Sequence, residues 1–328
     1  MAVFTPVQMS EIAPWLKSRG VCARAISAIG EGIENTNYRI CADDGGGGDN
    51  QNGGDDGGSR AFVFTLFELW DIAQVRYYAA LMSHFAACGL PVPAPVFAPS
   101  LWNDDKPCLL VPFVESGGWC ENPNAGQCRK MGAMIARLHL ASAGFDMPMA
   151  NPRGAHWRRD IVEKLRPVLP GAQMNLASEE LNRDGVFAAA PLPFGACHCD
   201  LFRNNVLWRD DDIVAVIDFY FGGGDALIFD LAVAACDWCF DGECFDKTKL
   251  DALFDGYLHL RRFSELEREL LADAFCVAAL RFWLSRLYDL HFPRRARVLH
   301  AHDPRYFENI LLAARNMRGQ LAAAAKAR

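Results

Sequence analysis

Apolar and polar positions alternate along the first part of the chain, as they do in half-buried strands. Residues 23–42 place short apolar runs on either side of a polar segment that contains Gly30 and Gly32, which predicts two strands joined by a glycine-containing loop. The stretch "AFVFTLFEL", residues 61–69, is again strand-like. The stretch "PCLLVPFVES", residues 107–116, predicts a buried strand followed by a turn. The beginning of the chain is therefore predicted to be rich in β-structure.

The apolar spacing changes to that of a helix in later stretches. Residues 72–90 have helical spacing and reach Gly89, a residue typical of the end of a helix. Residues 125–145 predict a second helix, and the rest of the chain is helix-rich around a β segment at 194–219. This order predicts an α+β protein of two lobes, a strand-rich N-terminal lobe at 1–115 and a helix-rich C-terminal lobe at 116–328.

A low-complexity segment of Gly, Asp and Asn interrupts the first lobe at residues 43–60. This composition offers almost nothing to bury, so we predict a disordered, lengthened connection between two strands. Its glycines lack the Lys-Ser/Thr pair that follows a phosphate-binding loop.

The composition narrows the class of protein. The chain has 328 residues, 51% of them hydrophobic, and a net charge of −7, which is unlike the basic charge of a nucleic-acid binder. No apolar run reaches the length of a membrane span, and the first residues lack the pattern of a signal peptide. We therefore expect a cytoplasmic protein that binds neither nucleic acid nor membrane, and whose 12 cysteines are reduced, buried thiols.

The strongest chemical pattern lies within residues 194–219. From His198 the chain reads H-x-D-x-x-x-x-N, and the apolar run "DIVAVID" then leads to Asp218. Phosphoryl transfer needs an aspartate that accepts the proton of the attacking hydroxyl, together with oxygen ligands for Mg²⁺. Asp200 suits the first role, and Asn205 and Asp218 suit the second. Each residue alone could equally hydrogen-bond a turn, but the set in this order favours phosphoryl transfer.

A zinc site is the alternative for the same region. "CHC", residues 197–199, spaces its ligands too closely for a common zinc motif, and "CDWC", residues 236–239, lies in an apolar stretch predicted to be helical. With Cys244 nearby a site is conceivable, but buried structural thiols are the favoured interpretation.

The core motifs resemble those of a known superfamily. "HCDLFRNNVLW" and "VIDFYFGGGDALIFDLA" are similar to the catalytic core of the aminoglycoside phosphotransferase and choline kinase superfamily, which has a protein-kinase-like fold. Longer stretches resemble bacterial homoserine kinases of that superfamily: "GIENTNY", "GLPVPAPV", "NPRGAHWRRD", "LRFWLSRLYDLHFPR" and "AHDPRYFENIL". The resemblance covers nearly the whole chain except the glycine-rich segment and the last residues.

The resemblance implies a reaction and roles for individual residues. ATP, with Mg²⁺, would phosphorylate the hydroxyl of the small molecule L-homoserine, on the route to threonine. Asp200 matches the catalytic aspartate, and Asn205 and Asp218 match the metal ligands. His198 and Asp230 match residues that support the catalytic loop. The nucleotide would contact a hinge and a phosphate loop, represented here by Val111, Pro112, Val114, Gly30, Gly32 and Asn35.

One position departs from the pattern of most relatives. The third strand usually carries a Lys for the nucleotide phosphates, paired with a helix Glu, but this chain has Thr65 there and no obvious Glu in the next helix. A catalytically silent nucleotide-binding regulator is therefore one alternative. A kinase for another small alcohol, such as choline or an aminoglycoside, is a second. The presence of all three catalytic-type residues favours an active enzyme.

Recognition of homoserine requires groups for its carboxylate and its ammonium. The apolar helix predicted around residues 279–292 carries Arg281 and Arg286, and a guanidinium suits a carboxylate. Each arginine could instead pair with a protein carboxylate and be structural. Of the two we favour Arg281 for the substrate carboxylate, and Asp225 for the ammonium. The oligomeric state is not predicted.

Overall fold

The computed structural model describes residues 5–30, 34–43, 59–293, 303–319 and 321. The strands are β1 Ala23–Ala28, β2 Thr36–Asp43, β3 Ser59–Leu66, β4 Ser100–Trp102, β5 Lys106–Pro112, β6 Phe194–Cys197, β7 Val206–Arg209, β8 Asp212–Val216 and β9 Gly223–Ala226. The helices are α1 Met9–Lys17, α2 Ile72–Ala87, α3 Ala125–Ser142, α4 Ala155–Leu165, α5 Gly171–Ala189, α6 Leu227–Trp238, α7 Lys247–Leu260, α8 Glu265–His291 and α9 Pro304–Asn316. A short 3-10 turn covers Arg203–Asn205.

The chain divides into two compact units. The first contains the chain up to residue 86 and residues 92–115, and the second contains residues 87–91, 116–293 and the C-terminal helix. The predicted lobes differ from these units in residues 87–91. This segment contacts the rest of the second unit, where the carbonyl of Pro91 accepts a hydrogen bond from the backbone of Val216 at 2.8 Å.

The first unit is built on an antiparallel sheet in the order β1-β2-β3-β5-β4. Alternate residues of β2 are buried, which is why the sequence alternates there. The strands and the helix α2 confirm the predicted elements. The predicted bounds of the glycine-rich segment were wrong at both ends: Asp43 pairs with Ser59 and Ala42 with Arg60, because the ladder between β2 and β3 continues that far. Residues 44–58 lie outside the described part of the chain.

The core of the first unit lies between α1 and the sheet. Ile12 and Leu16 of the helix are fully buried in a cluster with sheet residues such as Ile40 and Phe64. The ring of Trp15 meets Phe64 edge-on, with centroids 5.4 Å apart. Burial of these large apolar groups fixes the helix against the sheet.

The second unit is mostly helical, as predicted. Helices α3 and α7 pack so closely that a Cβ on Gly132 would collide with the carbonyl of Leu253, and one on Gly256 with the carbonyl of Arg129. Helix α8 has 27 residues and begins with a capping box between Ser264 and Glu267. Two short antiparallel pairs, β6 with β9 and β7 with β8, lie among the helices and hold the loops described below. Among the described helices, none combines the length and apolar character needed to cross a bilayer.

Candidate active site

The antiparallel pair of β7 and β8 brings together the two predicted metal ligands. Val206 pairs with Val216, and the backbone of Ile217 donates to the carbonyl of Asn205 at 2.9 Å. Asn205, just before β7, therefore lies beside the segment that carries Asp218, just after β8. Asp218 has a φ of 64°, a left-handed conformation that is uncommon for a residue other than glycine. Such strain is a frequent feature of functional sites.

Asn205 is also bound to Asp200. Its amide Nδ2 donates to the carbonyl of Asp200 at 2.8 Å and lies 3.2 Å from the Oδ2 of the same residue. Because a carbonyl oxygen only accepts, this contact identifies the amide nitrogen and turns the Oδ1 of Asn205 away from Asp200. The loop thus presents a carboxylate and an amide oxygen side by side.

Arg281 lies next to the predicted catalytic aspartate. Its Nη2 is 3.8 Å from Oδ1 of Asp200, and the two side chains are 5% and 16% exposed. Burial raises the pKa of Asp200, while Arg281, His198 and the Asn205 amide act in the opposite direction. The carboxylate is therefore poised between desolvation, which favours its protonated form, and the guanidinium, which favours its ionised form.

Asp230 holds the backbone that leads to Asp200. Its Oδ2 accepts from the amide of His198 at 2.7 Å, and its Oδ1 accepts from the amide of Cys199 at 2.6 Å. Cys199 has a φ of 63°, so the loop is held in a strained conformation at this residue. These two charge-assisted hydrogen bonds offset the strain.

His198 packs inside the loop. Its Nε2 lies 2.9 Å from the carbonyl of Ile217, so this nitrogen carries the proton, and its ring centroid is 4.4 Å from that of Phe219. Burial lowers the pKa of His198, which favours the neutral ring. The ring therefore ties the loop of Asp200 to the end of β8.

Asp237 is a supporting residue that the sequence interpretation missed. Its Oδ2 accepts from the backbone of Arg203 at 2.7 Å and from the Nε of the same residue at 3.0 Å. The indole of Trp238 also donates to the carbonyl of Leu201 at 3.1 Å. The signal was present in the sequence: Asp230 and Asp237 are two helical turns apart, so both acids of this apolar helix face the same loop.

His139 was missed as well. Its Nδ1 lies 2.9 Å from the hydroxyl of Tyr257, and its Nε2 lies 3.5 Å from Oδ2 of Asp230. A lone histidine on an apolar helix gives no sign of such contacts, because its partners come from distant parts of the chain.

Among the described residues, the cysteines of "CHC" and "CDWC" do not come together as one group of possible metal ligands. A group of possible metal ligands does occur among the described residues, but it consists of His139, Cys197 and Asp230. Their ligand atoms lie within 4.8 Å of one another. Burial raises the pKa of the Cys197 thiol, which opposes the thiolate that a metal needs. The prediction that all cysteines are buried was wrong: Cys22, Cys88 and Cys244 are exposed, since they lie in connections outside the helices and strands.

Arg281 and Arg286, the two arginines considered for the substrate carboxylate, have different neighbours. Arg281 lies over the ring of Phe282, at 3.7 Å, and beside Asp200. Arg286 lies over the ring of Phe307, at 4.4 Å, and donates to the carbonyl of Asp303 at 3.3 Å. Arg281 is therefore the one whose charge the structure brings to the predicted catalytic residue.

Asp225 is fixed by the short sheet of β6 and β9. It pairs with Gly195 in the ladder, its Oδ2 accepts from Nδ2 of Asn151 at 2.7 Å, and its Oδ1 accepts from the backbone of Ala226 at 2.7 Å. Burial raises the pKa of this carboxyl, and Arg158 acts in the opposite direction.

The predicted nucleotide residues belong to the first unit. Thr65 is buried in β3 and donates to Oδ1 of Asn37 at 2.8 Å. Lys106, at the start of β5, forms an ion pair with Glu68, just after β3, and this pair was not foreseen. The remaining candidates lie in or beside the strands, and Gly30 follows β1. Asn35 and Val111 are buried, Val114 is partly buried and Pro112 is exposed. Gly32 lies outside the described residues.

Similar sequences name the same chemistry. The sequence pattern of the phosphotransferase enzyme family matches residues 25–273. A homoserine kinase of Janthinobacterium sp. (strain Marseille) is 38% identical over 322 residues, which is 95% of each chain. A homoserine kinase of Methylobacillus flagellatus is 36% identical over 317 residues, 95% of this chain and 94% of its own.

Solved structures share the fold at low sequence identity. A choline/ethanolamine kinase family protein from Mesorhizobium loti aligns with a TM-score of 0.63 at 17% identity, over 93% of each chain. An amicoumacin kinase, solved with AMP-PNP and Ca²⁺, aligns with a TM-score of 0.62 at 13% identity, over 96% of this chain and 93% of its own. The protein-kinase-like α+β fold expected from the sequence is thereby confirmed. The match to the family pattern and the two relatives, aligned over 94–95% of their own lengths, show that the chain belongs to the phosphotransferase enzyme family and, within it, to the homoserine kinases.

Proposed function

We propose that the protein transfers the γ-phosphoryl group of ATP to the side-chain hydroxyl of L-homoserine, giving O-phospho-L-homoserine and ADP. The observation that carries this proposal is the 38% identity to a homoserine kinase over 95% of both chains. The product would enter the route to threonine, and the reaction would take place in the cytoplasm.

Asp200 is the residue we assign to the hydroxyl of the substrate. Its carboxylate would accept the proton of the hydroxyl as the oxygen attacks the γ-phosphorus, and the ADP oxygen would take the electrons of the broken P–O bond. The hydrogen bond from Asn205 and the backbone contacts of Asp230 hold this carboxylate in one place. Such positioning is the main contribution that a protein makes to phosphoryl transfer.

Asn205 and Asp218 form a donor set that fits Mg²⁺. An amide oxygen and a carboxylate are hard oxygen ligands, and the hydrogen bonds of Asn205 leave its Oδ1 available. Mg²⁺ bound there would neutralise charge on the phosphate oxygens. The β7–β8 ladder would fix the spacing of these two ligands.

For the nucleotide we propose the residues of the first unit named above. The backbone at Val111, near the end of β5, and at Val114, just after this strand, would meet the adenine, and Gly30, Asn35 and Thr65 would meet the phosphates. A threonine can donate one hydrogen bond but carries no charge, so the phosphates would depend more on the metal than in kinases with a lysine at this position.

Substrate recognition is assigned to Arg281 and Asp225. Three carbon atoms separate the hydroxyl of homoserine from its carboxylate, and Arg281 lies 3.8 Å from the carboxylate that would bind the hydroxyl. A guanidinium has five N–H donors, enough for Asp200 and a substrate carboxylate together. Each oxygen of Asp225 accepts one hydrogen bond from the protein, so both retain a lone pair for an ammonium group.

A coupled assay of ADP release tests the proposal. We expect turnover with L-homoserine, weak turnover with 3-aminopropan-1-ol, which lacks the carboxylate, and none with choline or kanamycin. Phosphorus NMR of the product should show a phosphate monoester on the side-chain oxygen. Preference for choline or kanamycin would replace the proposed substrate, and nucleotide binding without any turnover would indicate a silent regulator.

A further inference from the structure

A chain of buried polar contacts runs from the end of α7 to the interior of the second unit. Glu267, with a side chain 0% exposed, accepts from Nη1 of Arg261 at 2.8 Å. The same Nη1 donates to the hydroxyl of Tyr257 at 2.9 Å, and this hydroxyl lies 2.9 Å from Nδ1 of His139. The close packing of α3 on α7 at Gly256 allows Tyr257 to reach the histidine.

The far end of this chain is the loop of the catalytic aspartate. The Nε2 of His139 lies 3.5 Å from Oδ2 of Asp230, and both side chains are almost wholly buried. Asp230 in turn accepts from the amides of His198 and Cys199. This series of contacts therefore ends at Cys199, one residue before Asp200, where the backbone is strained.

The donors and acceptors of this chain have only one consistent arrangement for a neutral histidine. An arginine only donates, so the hydroxyl of Tyr257 accepts from Arg261 and has its single proton left for Nδ1 of His139. Burial raises the pKa of Tyr257, so the phenol keeps that proton. With Nδ1 as the acceptor, His139 carries its proton on Nε2, which faces the carboxylate of Asp230.

We propose that Tyr257 and Arg261 are positioning residues for phosphoryl transfer, because they hold His139 in its Nε2–H tautomer and thereby fix Asp230 and the backbone that presents Asp200. The role in transfer rests on the function proposed above. A buried carboxylate with a proton donor beside it stays in place, whereas the opposite tautomer would set a lone pair against its charge. This arrangement also opposes metal binding by the cluster with Cys197, since Nε2 would have to lose its proton to become a ligand.

The tautomer can be measured in the wild-type protein without any assay of activity. Nitrogen-15 NMR of histidine-labelled protein, with the signal of His139 assigned by its loss in His139→Gln, should show a protonated Nε2 and an unprotonated Nδ1. A protonated Nδ1, with or without a protonated Nε2, would overturn the proposal. Stoichiometric zinc in the purified protein would do the same.

Variants test whether this series of buried contacts affects catalysis. Tyr257→Phe removes the hydroxyl and keeps the ring, and we expect kcat to fall roughly 10-fold, as for other outer partners of functional side chains, with the KM values for ATP and homoserine little changed. The NMR signal of His139 should shift towards a mixture of tautomers. Arg261→Met should also lower kcat. Arg261→Lys keeps a hydrogen-bond donor and should therefore retain most of the wild-type kcat.

Tyr38→Phe is the matched control. Tyr38 is also buried, and its hydroxyl also makes two hydrogen bonds, from the backbone of Val7 at 2.9 Å and to the carbonyl of Thr5 at 3.0 Å. Tyr38 lies in the first unit. The Tyr38→Phe variant should therefore have a lower melting temperature, with the His139 signal and kcat unchanged. If Tyr257→Phe behaves like this control, its role is structural only and the proposal is wrong.

The two proposals fail in different ways. If the wild-type protein does not phosphorylate homoserine, the proposed function is wrong, while the tautomer of His139 still tests the contact chain. If the wild-type protein is active but its His139 signal is that of the other tautomer, only the positioning proposal is lost. If Tyr257→Phe fails to fold, the wild-type spectrum and the two Arg261 variants decide the question.

Discussion

Arg281 Nη2 lies 3.8 Å from Oδ1 of Asp200, so a nearly buried guanidinium accompanies the carboxylate assigned to catalysis. Arg281 comes from α8, whereas Asp200 lies on the loop between β6 and β7. This contact connects the residue proposed to bind the hydroxyl with the residue proposed to bind the substrate carboxylate. It also affects the charge of Asp200, and both effects can be tested.

Asp200→Asn should lower kcat by about 10²–10⁴-fold, because the amide cannot accept the hydroxyl proton. Binding of AMP-PNP, measured by calorimetry, should change little, since Asp200 is not assigned to the nucleotide. A normal melting curve would show that the variant is folded. Wild-type turnover in this variant would remove Asp200 from the mechanism.

Asp218→Asn should raise the magnesium concentration needed for half-maximal activity, because a neutral amide binds Mg²⁺ more weakly than a carboxylate does. A magnesium titration at constant free ATP measures this. Asp212→Asn is the control: Asp212 lies on the same β-hairpin but is exposed and contacts Lys130. If both variants raise the magnesium requirement equally, the effect comes from the loss of negative charge in general, and Asp218 is not a ligand.

Arg281→Met should raise the KM for homoserine by about 10- to 100-fold, since a hydrogen bond to a charged group contributes roughly 1.5–3 kcal/mol. The KM for ATP should stay near the wild-type value, and the preference for homoserine over 3-aminopropan-1-ol should narrow. Arg286→Met, on the same helix but bound to Asp303, should leave that preference unchanged. Equal losses for both alcohols would place the carboxylate site elsewhere.

The pH dependence of kcat/KM should show an acid limb at a higher pH than an ordinary aspartate gives. Asp200 must be ionised to act, burial raises its pKa, and activity is therefore lost as the pH falls through this raised pKa. Arg281 lowers that pKa, so Arg281→Met should move the acid limb further towards neutral pH. A limb that stays in place or moves to lower pH would contradict the assigned contact.

The exposure of each cysteine, and not its sequence motif, should determine how fast its thiol reacts. In the native protein an alkylating reagent should modify Cys22 and Cys88 first, because they are exposed, and Cys244 more slowly, since its hydrogen bond to Asp241 raises the pKa of its thiol. Buried thiols such as Cys276, whose pKa burial raises to about 11, should react only after unfolding. Mass spectrometry of each peptide over time measures this. Rapid modification of Cys197 would show that its pocket opens.

The sequence alone determined the elements and the short-range part of the site. Strands and helices follow from apolar periodicity, so β2, β5, α2 and α3 could be predicted within a few residues. Asp200, Asn205 and Asp218 could also be proposed as one set, because a single loop and one hairpin connect them, and the structure places Asn205 beside both of the others. The ends of the glycine-rich segment were less clear, since a strand ladder can extend into polar residues.

The tertiary structure decided which distant residues support that site. The contact between His139 and Tyr257 joins residues 118 positions apart, and no periodic pattern records such a pair. Asp237 accepts a hydrogen bond from the backbone of Arg203 beside the loop of Asp200, and of Arg281 and Arg286 it is Arg281 that lies next to Asp200. The apolar pattern shows that these residues lie in buried helices but not what they face, because the packing of one helix on another selects their partners.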